Sequence, residues 1–172
     1  MNEVMCLAED IGIKIFYQDT DSMHIESDKV QLLAVKFQET YNKELIGKKL
    51  GQFHSDFDFK SDELPYAIKS IFMGKKAYID LVRCIRNGIE FFELHCRLKS
   101  IPGDVLNNTA KEKYKNDPMA NWKLFEYMYD NKFIFDMLNT HRPTFKAHAN
   151  YNISTVRNNE AKNILTRSVN YA

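Results

Sequence analysis

The sequence predicts an α+β fold in which a mostly antiparallel sheet packs against helices. Segments with the 3.6-residue apolar period of helices are interleaved with segments that alternate or are rich in β-branched and aromatic residues. Short turn signals join several of the strand-like segments, which favours antiparallel neighbours. The chain has 172 residues, of which 44% are hydrophobic, so it can bury a real core as one domain or as one domain with a small appendage.

The chain begins with a predicted helix and a predicted hairpin. Residues 2–10 present an apolar face at helical spacing, and Gly12 ends that helix. Residues 13–17 and 22–26 read as strands, and the segment between them has turn composition. The tip of this hairpin carries two acidic side chains. Ser27 and Asp28 are suited to cap a helix over about 29–45.

A polar stretch with a short strand at 50–54 leads to three longer strands at 66–73, 76–86 and 89–98. Asn87-Gly88 between the last two is the strongest short hairpin signal. If these two residues form the turn, the strand period of two sorts the side chains. One face is an apolar core face with Ala77, Ile79, Leu81, Phe92, Leu94, Cys96 and Leu98, and the other is polar, with Lys76, Tyr78, Asp80, His95, Arg97 and Lys99.

Pro102-Gly103 marks the start of a second part of the chain. Residues 104–116 and 120–130 read as helices, and 133–138 and 145–149 as short strands. The remainder is polar with strand-like pieces and basic residues. The sequence therefore divides into residues 1–100, with the main sheet, and residues 101–172, a smaller basic subdomain of mixed helix and strand.

The formal net charge of +1 conceals a strong asymmetry. Residues 1–74 hold 8 basic and 13 acidic side chains, whereas residues 75–172 hold 16 and 10. An acidic first part and a basic second part indicate a cation site and a polyanion site in one chain.

Several classes of protein are disfavoured by what the sequence lacks. It has no run of about 18 apolar residues, so we expect no membrane span. Its N-terminus has no basic segment before an apolar one, which disfavours a secretory signal. Cys6, Cys84 and Cys96 form no C-x-x-C pair and predict buried thiols in a reducing compartment. We therefore expect an intracellular protein, in the cytoplasm, the nucleus or a viral replication site.

The segment from Tyr17 to Ser22 carries the clearest chemical signal. Asp19 and Asp21 stand two residues apart near the hairpin tip, where both carboxylates can approach one hard cation such as Mg²⁺. The alternative is that Asp and Ser are present as good turn formers. The basic and aromatic strand face that follows some 55 residues later favours the metal-binding reading.

These residues resemble a known family. The segment from Tyr17 to Ser22 resembles the Y-x-D-T-D-S motif of family B DNA polymerases, and 75–78 is similar to their K-K-x-Y motif, in the same order. Leu50-Gly51 and the segment 99–103 resemble the protein-primed branch of bacteriophages, adenoviruses and linear plasmids. Gln18 stands where cellular members usually have Gly, which favours the same branch. The resemblance covers 1–100 well and 101–172 loosely.

The resemblance implies a role for each matching residue. It makes 1–100 the C-terminal part of a polymerase palm and 101–172 a thumb-like subdomain. Asp21 would help to bind two catalytic Mg²⁺ ions, with Asp19 beside it. The neighbouring Tyr17, Thr20 and Ser22 would support the motif. Primer DNA would contact Lys75, Lys76 and Tyr78, and the strand register adds Arg97 and Lys99, for which a solvated strand face is the alternative.

Two further motifs of that family, D-x-x-S-L-Y-P and K-x-x-x-N-S-x-Y-G, are not found in the sequence, and neither is a proofreading exonuclease. We therefore expect the palm and thumb portion of a DNA-directed DNA polymerase, a nucleotidyltransferase that is inactive as this isolated chain. With a partner chain or N-terminal region carrying the other motifs, it would add dNTPs to the primer of a primer–template. Alternatives are a non-catalytic DNA-binding replication protein, a polymerase remnant and, more weakly, a metal-dependent nuclease.

Overall fold

The computed structural model describes residues 1–136, 143–147, 153–157 and 163–166. The predicted α+β class is confirmed, because helices and antiparallel strands are mixed along the described chain. The elements in chain order are α1 (Asn2–Asp10), β1 (Ile15–Asp19), β2 (Ser22–Ile25), α2 (Val30–Tyr41), β3 (Tyr66–Gly74), β4 (Ala77–Arg86), β5 (Ile89–Leu98), α3 (Gly103–Tyr114), α4 (Ala120–Asp130), β6 (Phe133–Asp136), β7 (Pro143–Ala147), β8 (Ile153–Arg157) and β9 (Asn163–Thr166).

The chain divides into two compact units. The first unit comprises Met1–Ile68 and Val82–Glu93, and the second comprises Lys69–Leu81 and Leu94–Ala172. Both units contain parts of the sheet in which β3, β4 and β5 are neighbours in that order. The boundary at residue 100 that the sequence suggests between palm and thumb stays a prediction.

In the first unit, α1, α2 and the β1–β2 hairpin share one apolar cluster. Its buried members are Val4, Leu7, Ala8, Ile13, Leu33, Phe37 and Leu45, with one side of the hairpin packed against them. Gly12 follows α1 with a φ of 74°, a left-handed conformation that glycine adopts without strain, so the predicted helix end is confirmed.

Three details of the predicted first unit are wrong. The helix predicted over 29–45 ends at Tyr41, because Asn42 takes a left-handed conformation with a φ of 52° and its N–H bonds to the Gln38 carbonyl. Neither Ser27 nor Asp28 caps this helix, since both lie in a 3₁₀ turn, Ser27–Lys29, that leads directly into it. The segment 50–54 is not a strand. It contributes one isolated bridge, between Ile46 and Phe53, because the intervening residues turn back at once.

A polar loop braces the β4–β5 hairpin within the first unit. The Ser61 hydroxyl oxygen accepts the N–H of Ile85 at 2.9 Å, and the Asp62 carboxylate accepts the N–H of Asn87 at 2.6 Å. Asn87 and Gly88 have φ values of 52° and 74°, as a two-residue type I′ turn requires. The hairpin predicted from Asn87-Gly88 is therefore confirmed.

In the second unit, one face of the sheet packs on α3, α4 and β6. The largest fully buried side chains of this cluster are Phe125, Phe135, Ile79, Leu124 and Met128. The predicted core face supplies Ala77, Ile79, Leu81, Leu94, Cys96 and Leu98, as expected. Phe92 is an exception with 48% of its surface exposed, because the apolar cluster follows the strands only as far as Leu81 and Leu94.

The C-terminal strands form two antiparallel pairs. Phe133–Asp136 pairs with Asn163–Thr166, and Pro143–Ala147 pairs with Ile153–Arg157. The predicted strands at 133–138 and 145–149 are therefore present in part, and their predicted ends, 137–138 and 148–149, lie outside the described residues. From Gly103 onward, the described chain therefore combines two helices with short strands.

The three cysteines differ in exposure, and the prediction that all are buried is wrong for Cys6. Cys6 is exposed, because it lies on the face of α1 away from the cluster of Val4, Leu7 and Ala8. Burial raises the pKa of Cys96 to about 12 and also raises the pKa of Cys84. Both thiols are therefore protonated at neutral pH.

We expect iodoacetamide to label Cys6 alone in the folded chain at pH 8, since thiolate and access are both needed for alkylation. Peptide mass mapping after a short reaction measures it. The same reaction in 6 M guanidinium is the control and should label all three residues. Labelling of Cys84 at the rate of Cys6 in the folded chain would contradict the burial described above.

Candidate functional site

The two motif carboxylates lie at the tip of the β1–β2 hairpin. Asp19 pairs with Ser22 across the strands, so Thr20 and Asp21 are the two turn residues. The Thr20 hydroxyl donates to Asp19 Oδ1 at 3.1 Å, and the Ser22 hydroxyl donates to the Asp19 carbonyl at 3.2 Å. Thr20 has a φ of 32°. The small hydroxyl residues of the motif therefore hold the turn that presents the acids.

The two acids have different surroundings. The Asp21 side chain is exposed at the turn, whereas Asp19 is half-buried at the end of β1 and accepts the Thr20 hydroxyl. Two residue pairs before Asp19 and Ser22, the Tyr17 ring meets the His24 ring edge to face, with centroids 5.4 Å apart. That contact links the two strands next to the hairpin tip, so Tyr17 limits the motion of the residues that carry both carboxylates.

The donor chemistry of this tip suits Mg²⁺, but the described residues supply only part of a metal site. Two carboxylates offer the hard oxygen ligands that Mg²⁺ prefers. Across the described part of the chain, there is no group of three or more His, Cys, Asp or Glu side chains that could hold a metal ion. Asp19 and Asp21 therefore fit a cation whose other ligands come from water, from a phosphate or from another polypeptide segment.

The predicted DNA-contacting residues lie in the second unit. Lys75 and Lys76 form the exposed turn between β3 and β4, and Lys76 has a φ of 59°. The Lys99 N–H donates to the Lys76 carbonyl at 2.8 Å, which joins the start of β4 to the end of β5. Arg97 and Lys99 are exposed. The structure thus brings Lys76, Lys99 and Arg97 to one end of the sheet.

Tyr78, the remaining predicted primer contact, is largely buried, with 6% of its surface exposed. Its ring centroid lies 6.1 Å from that of Phe72 on β3 and 5.9 Å from that of His95 on β5. Only a small part of the ring can therefore reach a ligand.

A buried polar group beside Tyr78 was not predicted as such. Asp80 has no exposed surface, and His95 is 8% exposed. Asp80 accepts the Ser70 hydroxyl at 2.6 Å and lies 3.1 Å from His95 Nδ1. The face predicted to be polar therefore varies in exposure, since it is buried at Tyr78, Asp80 and His95 and exposed at Lys76, Arg97 and Lys99.

One signal in the sequence did point to this group. The Asn87-Gly88 register places Asp80 directly opposite His95, an arrangement that allows a cross-strand hydrogen bond. Strand periodicity says which side chains share a face, but it does not say which face becomes covered.

A comparison of the chain with protein-family models, with curated proteins and with solved structures finds no match. The family resemblance of the motifs therefore rests on the residues themselves. None of the helices in the described part of the chain is long and apolar enough to cross a membrane.

Proposed function

We propose that this chain is the palm and thumb portion of a DNA-directed DNA polymerase of the family B type. The observation that carries the proposal is the hairpin tip, where Asp19 ends β1 and Asp21 lies in the two-residue turn, which the Thr20 and Ser22 hydroxyls hold by hydrogen bonds. This tip carries two carboxylates two residues apart, and carboxylate oxygens are the hard ligands that Mg²⁺ prefers. Exposed lysines at the β3–β4 turn also support this function, because their positive charge suits contact with the phosphates of DNA.

In this function Asp21, at the exposed tip, and Asp19, behind it, would hold Mg²⁺. When bound, the metal ions supply charge stabilisation for the 3′-hydroxyl of the primer and for the departing pyrophosphate. The chain's own part is to keep two negative charges close together before the substrate arrives. The Thr20 hydrogen bond and the Tyr17–His24 contact serve that preorganisation, because they limit the motion of the turn.

The exposed basic side chains at one end of the sheet in the second unit would bind nucleic-acid phosphates. Lys75, Lys76, Arg97 and Lys99 are exposed, and contacts of this kind position DNA without reading its sequence. Tyr78, held between Phe72 and His95, would keep the strand that carries Lys76 in place and offer the small exposed part of its ring to the primer end.

Primer extension tests the proposal. The chain is mixed with a polypeptide that carries the two other polymerase motifs, with a primer–template, dNTPs and Mg²⁺. Extension is expected only when both polypeptides are present. Extension that is unaffected when Asp19 and Asp21 are both replaced by asparagine would overturn the proposal.

A non-catalytic DNA-binding protein is the second candidate function, and the exposed Lys76, Arg97 and Lys99 favour it, since phosphate contacts need no metal ion. Under either function we expect duplex affinity to fall steeply with salt, since each phosphate contact releases about 0.9 counterion. The triple variant Lys76→Gln, Arg97→Gln, Lys99→Gln should reduce the slope of log K against log salt by about 2 to 3.

Fluorescence anisotropy with a labelled duplex at several salt concentrations measures that slope. Lys36→Gln on α2 and Lys43→Gln after it are matched controls, since both lysines are exposed or half-exposed and lie outside the predicted DNA contact. A triple variant with an unchanged slope would contradict the phosphate contacts. Affinity that rises with Mg²⁺ in the wild type but not in Asp21→Asn favours the polymerase over the binding protein.

A further inference from the structure

Two cross-strand contacts lie at the ends of the segment that carries the predicted DNA contacts of β4 and β5. At the open end, the Lys99 N–H donates to the Lys76 carbonyl at 2.8 Å. At the buried end, Asp80 Oδ2 lies 3.1 Å from His95 Nδ1. The predicted DNA contacts at or between these ends are Lys76, Tyr78, Arg97 and Lys99. The two strands are therefore joined on both sides of the residues that would meet DNA.

The buried contact belongs to a polar group that spans the three neighbouring strands β3, β4 and β5. Asp80 accepts the Ser70 hydroxyl of β3 at 2.6 Å, and it has no exposed surface. His95 on β5 is 8% exposed. A hydrogen bond in a buried place is stronger than one in water, because its surroundings screen charge weakly. The group therefore restrains how the three strands lie against one another.

The His95 ring connects this polar group to Tyr78. One ring nitrogen, Nδ1, faces the Asp80 carboxylate, and the ring centroid lies 5.9 Å from the centroid of Tyr78. Because the hydrogen bond of one ring nitrogen sets the orientation of a histidine side chain, Asp80 determines which part of the His95 ring Tyr78 contacts. The position of the largely buried Tyr78 therefore depends on a residue that has no surface of its own for DNA to contact.

Lys76 requires support from the surrounding structure. Its φ of 59° lies in the left-handed region, which is unfavourable for a residue with a Cβ atom. Such a conformation persists only where neighbouring parts of the fold hold it in place. The bond from the Lys99 N–H holds Lys76, and that bond forms only while β4 and β5 keep their relative position. The Asp80–His95 contact maintains that position further along the two strands.

We propose that Asp80 and His95 are positioning residues for the contact of Lys76, Arg97 and Lys99 with nucleic-acid phosphates. They hold β4 and β5 in the arrangement that brings those three charges to one end of the sheet, so the charges are in place before DNA arrives. Such preorganisation increases affinity, because less ordering remains to be done on binding. The inference rests on the DNA contact of the proposed function, and it gives the buried pair a role beyond stability.

Duplex affinity of the intact chain tests the proposal, with fluorescence anisotropy as the readout and circular dichroism as the check that each variant is folded. Asp80→Ala removes the buried carboxylate and should weaken binding about tenfold. His95→Phe keeps a ring beside Tyr78 but removes the nitrogen that faces Asp80, and it should weaken binding about fivefold. Met128→Ala, which creates a cavity in the apolar cluster of the second unit, is the control and should bind within about twofold of the wild type.

A double-mutant cycle separates positioning from a purely structural role. In the background Lys76→Gln, Arg97→Gln, Lys99→Gln the positioned charges are absent, so the addition of Asp80→Ala should change the remaining affinity by less than about twofold. An equal loss of affinity in both backgrounds would overturn the proposal. Wild-type affinity in both variants of the buried pair would overturn it as well.

The outcomes also separate this inference from the proposed function. If the triple variant weakens binding but both variants of the buried pair bind like the wild type, the DNA contact stands and the positioning role is wrong. If the triple variant binds like the wild type, the DNA contact and the positioning role are both wrong. A chain that binds duplex as described but supports no primer extension with the second polypeptide contradicts the polymerase function alone.

Discussion

Replacement of Asp21 by asparagine is expected to reduce primer extension in the reconstituted reaction by about a hundredfold or more. The substitution preserves the size of the side chain and one oxygen, but it removes the negative charge that attracts Mg²⁺. Asp21 is exposed at the hairpin tip, so its loss leaves the packing of the first unit unchanged. Steady-state extension rates at saturating primer–template measure the effect.

Asp19→Asn should also impair extension, because the Asp19 carboxylate is the second charge of the tip and orders the Thr20 hydroxyl. Asp28→Asn is the matched control, since Asp28 lies in the exposed 3₁₀ turn after β2, and its rate should remain within about twofold of the wild type. A rate for Asp21→Asn equal to that control would show that the tip does not act on the reaction.

Asp80→Ala is expected to destabilise the fold by about 3 kcal/mol. The substitution leaves the Ser70 hydroxyl and His95 Nδ1 without the carboxylate that lies between them, in a place from which water is excluded. Removal of one partner from a buried polar pair costs more than the pair itself contributes, because the remaining group stays desolvated. Urea denaturation followed by circular dichroism measures the free energy of unfolding.

Two further variants give the free energies of unfolding with which Asp80→Ala is compared. Asp80→Asn keeps an acceptor for Ser70 and is expected to cost about half as much as alanine. Glu90→Ala removes an exposed ion-pair partner of Arg83 and should cost less than about 1 kcal/mol. If Asp80→Ala costs no more than Glu90→Ala, the buried polar group does not stabilise this sheet.

Much of the fold was accessible from local patterns. Asn87 and Gly88 predict a type I′ turn, because both residues readily adopt the positive φ angles that this turn requires. Gly12 predicts the end of α1, because glycine readily takes the left-handed conformation found there. The apolar sides of β4 and β5 follow from the strand period once that turn is placed. These features depend on residues near one another in sequence, where backbone sterics and side-chain period suffice.

Features that depend on distant residues were not accessible in the same way. The helix predicted to reach residue 45 ends at Tyr41, and Leu45 is instead buried in the apolar cluster of the first unit. Phe92 has the period of a core residue but is exposed, because the cluster beneath the sheet extends only to Leu94. The helix ends at the left-handed Asn42, whereas the burial of Leu45 and the exposure of Phe92 depend on packing with segments remote in sequence.

For the candidate site, the sequence by itself determined which residue types stand near one another. Residue types and spacing placed Asp19 and Asp21 near one hairpin tip, and Asp80 and His95 on one strand face, because turns and strand registers are set by neighbouring residues. Only the tertiary structure decided exposure: Lys76, Arg97 and Lys99 are open to solvent, whereas Tyr78, Asp80 and His95 on the same strands are buried. The physical reason is that burial depends on which distant segment covers a face, and the period of a strand carries no information about that.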